Sequence, residues 1–327
     1  MHQVLSVNNL TVRFASDQGT VNAVNGISIA VQQGKAVALV GESGSGKSTA
    51  VKAMLRLLPT NAEIRGDVVF QGKNLANLSS KEIRKIRGRN ISMIFQNPKM
   101  FLNPTKTIGQ QIIEPILYHH LATPSKAKEK AISLLDQVGI PYPEERYSNY
   151  PFEFSGGMLQ RVMIAMALIT EPELLIADEP TTSLDVTVQA EILTLLKRLQ
   201  RDHGMSMVFV THDLAVAAQV CDEVYVLYGG LVMEHITSEK LRQRSSHPYL
   251  QGLLRSIPRI DGPRTKLPFI PGQPPSTIDS TITGCIFANR CTRKMDRCEE
   301  QPELESVADR HEVACWLSTL EVSSYGG

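Results

Sequence analysis

The sequence predicts an α/β fold with a mostly parallel sheet, and three observations carry this prediction. Short apolar runs alternate with segments of helical period along residues 1 to about 257. A glycine-rich loop directly follows one of these runs. After about Arg259 the composition changes to a proline-rich stretch and then a cysteine-bearing one. Continuous apolar strands are typical of a parallel sheet covered by helices on both faces.

The predicted elements follow one another along the chain. Extended segments at residues 5–14 and 24–31 are expected to pair antiparallel near the start. The apolar runs that predict buried strands lie at 36–40, 91–95, 174–177, 205–210 and 224–228. The segments that predict helices lie at 47–58, 107–119, 126–138, 157–170, 187–201 and 214–220.

The composition is that of an ordinary globular protein, and its length suggests two domains. The 327 residues are 42% hydrophobic, with 34 basic and 33 acidic side chains and a formal net charge of +1. This near-zero net charge argues against a protein that binds nucleic acid through an overall positive charge. No apolar run approaches the ~18 residues that a membrane span needs, and the N-terminus does not resemble a signal peptide. We therefore expect a cytosolic chain that reaches a membrane only through a partner.

Residues 41–49 read GESGSGKST and match the phosphate-loop pattern G-x-x-x-x-G-K-[ST]. A strand is predicted before the loop and a helix after it, which is the context that the motif requires. Its glycines let the backbone turn N–H groups toward an anion, and the following helix adds the positive end of its dipole. Lys47 is expected to reach the β- and γ-phosphates, and the Ser48 hydroxyl to ligate Mg²⁺.

Residues 174–179 read LLIADE and carry two carboxylates to the carboxyl edge of the predicted sheet. Asp178 is expected to hold Mg²⁺, and Glu179 to polarise an attacking water. His212 follows another apolar strand, where it could contact the γ-phosphate or orient the water. A lone histidine at a strand end is more often structural than catalytic, so this position has both interpretations.

Residues 154–160 read FSGGMLQ, and with the preceding motifs they make the chain resemble the ATP-binding subunit of ABC transporters. The signature of that family is LSGG with a glutamine after two further residues, and Phe154 here replaces the leucine. The resemblance covers about residues 3–255. It implies a P-loop ABC ATPase domain with a mostly parallel sheet, an antiparallel β subdomain and a helical subdomain at about 97–170. It also implies ATP and Mg²⁺ as cofactors.

The resemblance implies roles for single residues. Gln96 matches the Q-loop glutamine that meets Mg²⁺ and communicates with the membrane subunit, and residues 183–185 match the D-loop. The signature serine and glycines would contact the γ-phosphate held by the other subunit of a head-to-tail pair, and Phe14 would stack on adenine. The expected catalytic residues are Glu179, His212 and Gln96, and the expected Mg²⁺ ligands are Ser48, Gln96 and Asp178. The expected nucleotide-binding residues are Phe14, Gly41, Glu42, Ser43, Gly44, Ser45, Gly46, Lys47, Ser48, Thr49, Ser155, Gly156, Gly157 and Asp185.

Residues 247–258, HPYLQGLLRSIP, resemble the extension of the oligopeptide, dipeptide and nickel importer ATPases. Within that group the D-type subunit of dipeptide and oligopeptide importers is the nearest match. The resemblance implies an ATPase domain over 1–257 and an importer-type extension over 258–327. It further implies a second, non-identical ATPase subunit, two transmembrane permeases, an extracytoplasmic solute-binding protein and no nucleic acid. The expected function is to energise peptide import from the cytoplasmic face of the bacterial inner membrane, as a peripheral subunit.

Other functions stay open at this point. The same group of ATPases also serves nickel and other small solutes, and the sequence does not decide the cargo. A non-transport ABC ATPase, in translation or DNA repair, usually carries two ATPase units or a long coiled-coil insertion, and this chain has neither. A nucleotide-binding subunit with an inert site is disfavoured because Glu179 and His212 are both present.

Four of the five cysteines lie in the tail, with the spacing C-x5-C-x6-C-x16-C. In a reducing compartment such a cluster is more often a metal site than a disulfide framework, although common zinc modules use C-x2-C. Four thiolates could hold Zn²⁺ or a [4Fe–4S] cluster, or stay metal-free. Some members of the resembled family carry an iron–sulfur cluster in this region, where it would staple a small module that lacks a core. The four residues are Cys285, Cys291, Cys298 and Cys315, whereas Cys221 is expected to be a buried small hydrophobe.

Overall fold

The structure of the protein is a computed structural model, and it describes residues 2–17, 19–182, 184–257, 268–275 and 282–318. The strands are β1 (Gln3–Ser16), β2 (Gly19–Gln32), β3 (Ala36–Val40), β4 (Ala62–Phe70), β5 (Lys73–Asn74), β6 (Ile91–Ile94), β7 (Leu174–Asp178), β8 (Ser206–Thr211), β9 (Glu223–Tyr228), β10 (Leu231–Thr237), β11 (Glu305–Ala308) and β12 (His311–Val313). The helices are α1 (Lys47–Met54), α2 (Ser80–Ile86), α3 (Pro98–Phe101), α4 (Ile108–Tyr118), α5 (Pro124–Gln137), α6 (Pro143–Arg146), α7 (Gly156–Leu168), α8 (Val186–Asp202), α9 (Leu214–Val220), α10 (Leu241–Arg244) and α11 (Pro248–Arg255).

Proximity of Cα atoms divides the chain into two compact units. Unit 1 comprises Met1–Val4, Val31–Ala36 and Asn77–Val210, and unit 2 comprises Leu5–Ala30, Val37–Ala76 and Thr211–Gly327. The sequence predicts a domain boundary at residue 257. The segment that follows it, 258–267, lies outside the described residues and includes Pro258 and Pro263. That domain boundary stays a prediction.

Unit 1 contains a parallel sheet and a group of helices. Strand β7 lies between β6 and β8 and runs parallel to both, with Ala177 opposite Ile94 on one side and Phe209 on the other. Every residue of β7 and β8 is buried, which is why these strands read as continuous apolar runs. Helices α4, α5 and α7 pack on one another through buried aliphatic side chains.

Unit 2 contains two groups of strands. In one group, β3 runs parallel to β9, β9 and β10 form an antiparallel hairpin, and β12 pairs antiparallel with both β10 and β11. In the other group the order is β2-β1-β4-β5, so the two early strands are neighbours as expected. Strand β4 pairs antiparallel with β1, and the ladder has an irregularity between Asn8 and Thr11.

Most of the predicted elements are confirmed, with small corrections at their ends. The helix expected at 47–58 ends at Met54, because Arg56 takes a left-handed φ of 52° and its N–H closes onto the Ala53 carbonyl. Helix α2 was not predicted, although Ser79 and Glu82 form a capping box at its start. Within the described residues no helix has the length and apolar character that a membrane span requires.

Candidate nucleotide-binding and hydrolysis site

The phosphate loop lies in unit 2, between the end of β3 and the first turn of α1. The Lys47 ammonium is buried and donates hydrogen bonds to the carbonyls of Gly41 and Glu42, both at 2.8 Å, and to Ser45 Oγ at 3.2 Å. These three hydrogen bonds stabilise the loop in a conformation that surrounds the Lys47 ammonium. Ser48 and Thr49 follow on the first helical turn and are half-buried.

Glycine is required at two positions of this loop. Gly46 has φ 94°, and a Cβ there would overlap the carbonyl oxygen of Ala23. A Cβ on Gly41 would overlap the carbonyl oxygen of Leu227. By contrast, Gly44 has φ 80° and nothing within 4 Å of a Cβ position, so the outer side of the loop is open. This tight, backbone-lined turn with one open side fits a bound triphosphate.

The acidic strand end lies in unit 1. Asp178 ends β7 and is only 1% exposed. Glu179 has a left-handed φ of 45°, rare outside glycine, and its N–H donates to the Val210 carbonyl at 3.0 Å. Strain of this kind is common at functional sites, where surrounding contacts hold it in place.

The Glu179 side chain accepts two hydrogen bonds through the same oxygen, Oε2. Gln96 Nε2 donates to it at 2.8 Å, and Thr182 Oγ1 donates to it at 2.9 Å. The structure thus brings together two of the expected catalytic residues, Gln96 and Glu179. Thr182 was missed by sequence reasoning, because a threonine in a loop after an acidic strand end carries no motif of its own.

The signature serine and glycines begin α7, also in unit 1. Ser155 caps this helix by accepting a hydrogen bond from the Met158 N–H at 3.3 Å, and Ser155 and Gly156 are exposed. Gly157 is tightly packed, since a Cβ there would lie 2.7 Å from Val188 Cγ1. Phe154, which replaces the family leucine, is buried and keeps the apolar anchor before the serine.

Three further predicted positions lie at the ends or edges of elements. Asp185 caps α8 by accepting a hydrogen bond from the Val188 N–H at 3.0 Å, whereas Ser183 lies outside the described residues. His212 is exposed, directly after β8. Phe14 is half-buried on β1, opposite Ala62 of β4.

The four tail cysteines line one small cavity, together with His247, Phe287 and Trp316. Burial raises the pKa of the Cys285 thiol to about 11 and also raises the pKa values of Cys291 and Cys315, which favours protonated thiols. Within the part of the chain that the structure describes, no group of three or more His, Cys, Asp or Glu residues is arranged to hold a metal ion. The expected metal or cluster therefore has a shared cavity but no preformed ligand set. Cys221 is buried, as expected.

Comparison with known proteins shows the family and the fold neighbours of the chain. The family model described as "ABC transporter" matches residues 24–182, and the model described as "Oligopeptide/dipeptide transporter, C-terminal region" matches residues 233–298. Among solved structures, a dimeric post-hydrolysis ATP-binding cassette bound to ADP and phosphate has a TM-score of 0.64 at 28% identity, covering 72% of this chain and 98% of that one. The cbiO1 protein of Clostridium perfringens has a TM-score of 0.61 at 27% identity, covering 74% and 91%.

Curated relatives match over almost the whole chain. The oligopeptide transport ATP-binding protein OppD of Haemophilus influenzae is 45% identical, over 97% of this chain and 98% of the relative. The dipeptide transport ATP-binding protein DppD of Bacillus subtilis is 48% identical, over 97% and 95%. The probable D,D-dipeptide transport ATP-binding protein DdpD of Escherichia coli is 44% identical, over 98% of each chain.

The phosphate loop, the acidic strand end and the capped serine-glycine helix start define the class of ABC-type ATPases. The chain belongs to the ABC transporter family, in the branch that carries the oligopeptide/dipeptide transporter C-terminal region.

Proposed function

We propose that this chain is the ATP-hydrolysing subunit that energises an importer of di- and oligopeptides. ATP hydrolysis by this chain is supported above all by the two hydrogen bonds that Gln96 and Thr182 donate to Glu179. The assignment of peptides as the cargo is supported by near-full-length similarity to relatives named for oligopeptide and dipeptide transport. Nickel chelates or other small solutes are the alternative cargo.

The phosphate loop would bind the triphosphate of ATP. Its backbone is already wound tightly around the Lys47 ammonium, so that phosphate oxygens would replace the loop carbonyls as partners of Nζ. The residues proposed to hold Mg²⁺ are Ser48, Asp178 and Gln96, whose hydroxyl, carboxylate and amide oxygens suit that ion. Mg²⁺, when bound, neutralises negative charge that develops on the phosphates.

Glu179 would orient the attacking water and accept its proton. Two donors hold one carboxylate oxygen, Oε2, and so fix the rotamer in which the carboxylate would meet the water. Because catalysis of phosphoryl transfer depends mainly on positioning and electrostatics, a fixed carboxylate rotamer contributes directly to the rate. His212 is proposed to contact the γ-phosphate.

A second ATPase subunit would complete the site. The exposed Ser155 and Gly156 begin a helix whose N–H groups suit an anion, and a head-to-tail partner could present the same loop to this chain's nucleotide. Gly157 and Asp185 would support that contact, and Phe14 would stack on adenine. The dimeric state of a structurally similar cassette supports this arrangement.

The remaining partners are proposed to be two transmembrane permeases and an extracytoplasmic solute-binding protein, with this chain peripheral on the cytoplasmic face of the inner membrane. A short apolar surface supports permease docking: Met100 is 79% exposed and Phe101 is 51% exposed, on the helix that follows Gln96. Phe101 stacks on Phe95 with ring centroids 4.0 Å apart, which links this surface to the Gln96 loop.

For the four cysteines we propose a [4Fe–4S] cluster, with Zn²⁺ or free thiols as the alternatives. The support is that all four line one cavity. Because burial raises the pKa values of three of these thiols, metal binding would have to release protons and draw the sulfurs together. Iron and acid-labile sulfide analysis after anaerobic purification tests this, and absence of any metal would refute both metal proposals.

Uptake of labelled peptides tests the transport function. Cells that express the complete transporter with Glu179→Gln in this chain should lose ATP-driven uptake of di- and tripeptides while the complex still assembles. Binding assays on the partner solute-binding protein would then separate peptide from nickel chelate. A receptor that binds nickel chelates and no peptide would overturn the peptide assignment but leave the ATPase assignment intact.

A further inference from the structure

An arginine of the C-terminal extension forms an ion pair with the phosphate loop. Arg290 Nη1 lies 2.8 Å from Glu42 Oε2, and Arg290 Nη2 lies 3.1 Å from Glu42 Oε1. The two contacts make a bidentate fork, which is the strongest and most directional kind of ion pair between side chains. The Arg290 side chain is 6% exposed and that of Glu42 is 26% exposed, so solvent screens the pair weakly.

The rest of the guanidinium is also held. Arg290 Nε donates to the Pro271 carbonyl at 2.8 Å, and Nη1 donates to the Tyr228 hydroxyl at 3.2 Å. A guanidinium that is hydrogen-bonded on several sides keeps one position and orientation, because its donors form a rigid planar fork. Arg290 therefore sets where the Glu42 carboxylate lies.

Glu42 also contacts Lys47 directly. Its carbonyl accepts a hydrogen bond from Lys47 Nζ at 2.8 Å, and its N–H donates to the Tyr249 hydroxyl at 3.0 Å. Tyr249 is completely buried and contacts the rings of Tyr228 and Phe287. The backbone of Glu42 is thus held from the α11 side, and its side chain from the extension.

Other residues of the extension pack on the same loop. Pro274 and Pro275 line a small cavity together with Tyr228, Gly229 and the loop from Glu42 to Ser45. Arg290 ends a short 3-10 turn, Ala288–Arg290, and lies between two of the tail cysteines in sequence, Cys285 and Cys291. The cysteine-bearing module therefore presents Arg290 to the phosphate loop.

We propose that Arg290 is a positioning residue for nucleotide binding, which neutralises Glu42 and fixes the phosphate loop around Lys47. This rests on the proposed function, since it requires that the loop binds a triphosphate. Without Arg290, an unpaired carboxylate would stand beside the phosphates, and its negative charge would oppose their binding.

The test measures ATP affinity and steady-state kinetics on the full chain in its complex. Arg290→Met should weaken ATP binding about tenfold, with KM raised and kcat at saturating ATP little changed. Arg290→Lys keeps the positive charge but not the bidentate fork, so it should restore part of the affinity. The matched control is Arg293→Met, which removes an exposed arginine of the same module and should leave ATP affinity unchanged.

A double variant separates electrostatic positioning from mere anchoring. In Glu42→Gln/Arg290→Met the carboxylate charge is gone, so ATP affinity should recover most of what Arg290→Met loses. If the double variant binds ATP as poorly as Arg290→Met, or if Arg290→Met binds like the wild type, the proposal is wrong. Thermal unfolding and limited proteolysis check that each variant keeps its extension folded.

Failure of the proposed function would look different. Lys47→Ala should abolish ATP binding in every background. If the wild type and Lys47→Ala bind ATP equally weakly, the loop is not a nucleotide site, and the assignment of the site itself fails rather than the role of Arg290.

Discussion

Gln96 Nε2 donates a hydrogen bond of 2.8 Å to Glu179 Oε2, although the two residues are 83 positions apart in the chain. They follow neighbouring parallel strands, in which Ile94 lies opposite Ala177. Each residue stands two positions beyond its member of that pair, so the parallel register itself brings the amide to the carboxylate. A ligand that pulls on the Gln96 amide would therefore act directly on the rotamer of Glu179.

Replacement of Glu179 by glutamine should separate binding from hydrolysis. Glu179→Gln keeps the shape of the side chain and removes the proton acceptor, so kcat should fall about a hundredfold or more while ATP affinity changes little. ATPase assays and ATP binding on the assembled complex check this. Glu171→Gln is the control, because Glu171 is exposed and pairs only with the surface Lys130 among its described ion pairs. An unchanged rate in Glu179→Gln would remove it from the catalytic role.

Thr182 should contribute to catalysis through Glu179. Thr182→Val removes the hydroxyl that donates to Glu179 Oε2 at 2.9 Å, and it preserves volume. We expect kcat to fall about fivefold with KM unchanged, since one hydrogen bond to a charged group is lost. Thr182→Ser should restore the rate. Thr194→Val serves as the control, because that hydroxyl donates to the Ala190 carbonyl within α8, away from Glu179. Equal effects of both valines would argue against the assignment.

Gly46→Ala should destroy the phosphate loop. The residue has φ 94°, and a Cβ would overlap the Ala23 carbonyl oxygen, so the backbone would have to move. We expect loss of ATP binding together with a lowered unfolding temperature. Gly72→Ala is the control for the cost of a positive φ without a steric clash, because Gly72 has φ 76° and no atom lies within 4 Å of its Cβ position. That control should lose about 1 kcal/mol of stability and keep ATP binding. Normal ATP affinity in Gly46→Ala would contradict the geometry.

Buried His247 should make stability depend on pH. Burial lowers its pKa from 6.5 to about 3 in the folded protein, where its Nδ1 accepts a hydrogen bond from the Tyr249 N–H at 3.0 Å. The contribution of neutral His247 is therefore complete above the unfolded pKa and is lost as pH falls below it. Down to about pH 5 the loss should reach about 2 kcal/mol in the free energy of unfolding.

His247→Asn tests that origin. The asparagine Oδ1 can cap α11 in place of Nδ1 but does not titrate, so the dependence of unfolding free energy on pH should flatten. Urea unfolding at neutral and at mildly acid pH measures both proteins. Parallel pH dependences would show that other groups control the acid sensitivity.

The nucleotide motifs were predictable because their chemistry is local. The loop that holds Lys47 is made by contiguous residues, and its glycines are required by the backbone turn itself. Asp178 and Glu179 were likewise found from an apolar strand that ends in carboxylates. Helix α2 was not predicted although its capping box is visible in the sequence, because it is only seven residues long and buries only Ile83, so it lacks the apolar stripe that indicates a helix.

Sequence alone therefore predicted strands β1 to β3 and β6 to β9, helices α1, α4, α5, α7, α8 and α9, and the contiguous loop around Lys47, since each depends on side chains that are neighbours along the chain. Folding in three dimensions selected the partners of the charged groups: Thr182 and Gln96 for Glu179, and Arg290 for Glu42, the last across 248 positions. Such pairs depend on strand register and on the path of the extension, which arise from the packing of the whole core and leave no local pattern in the chain.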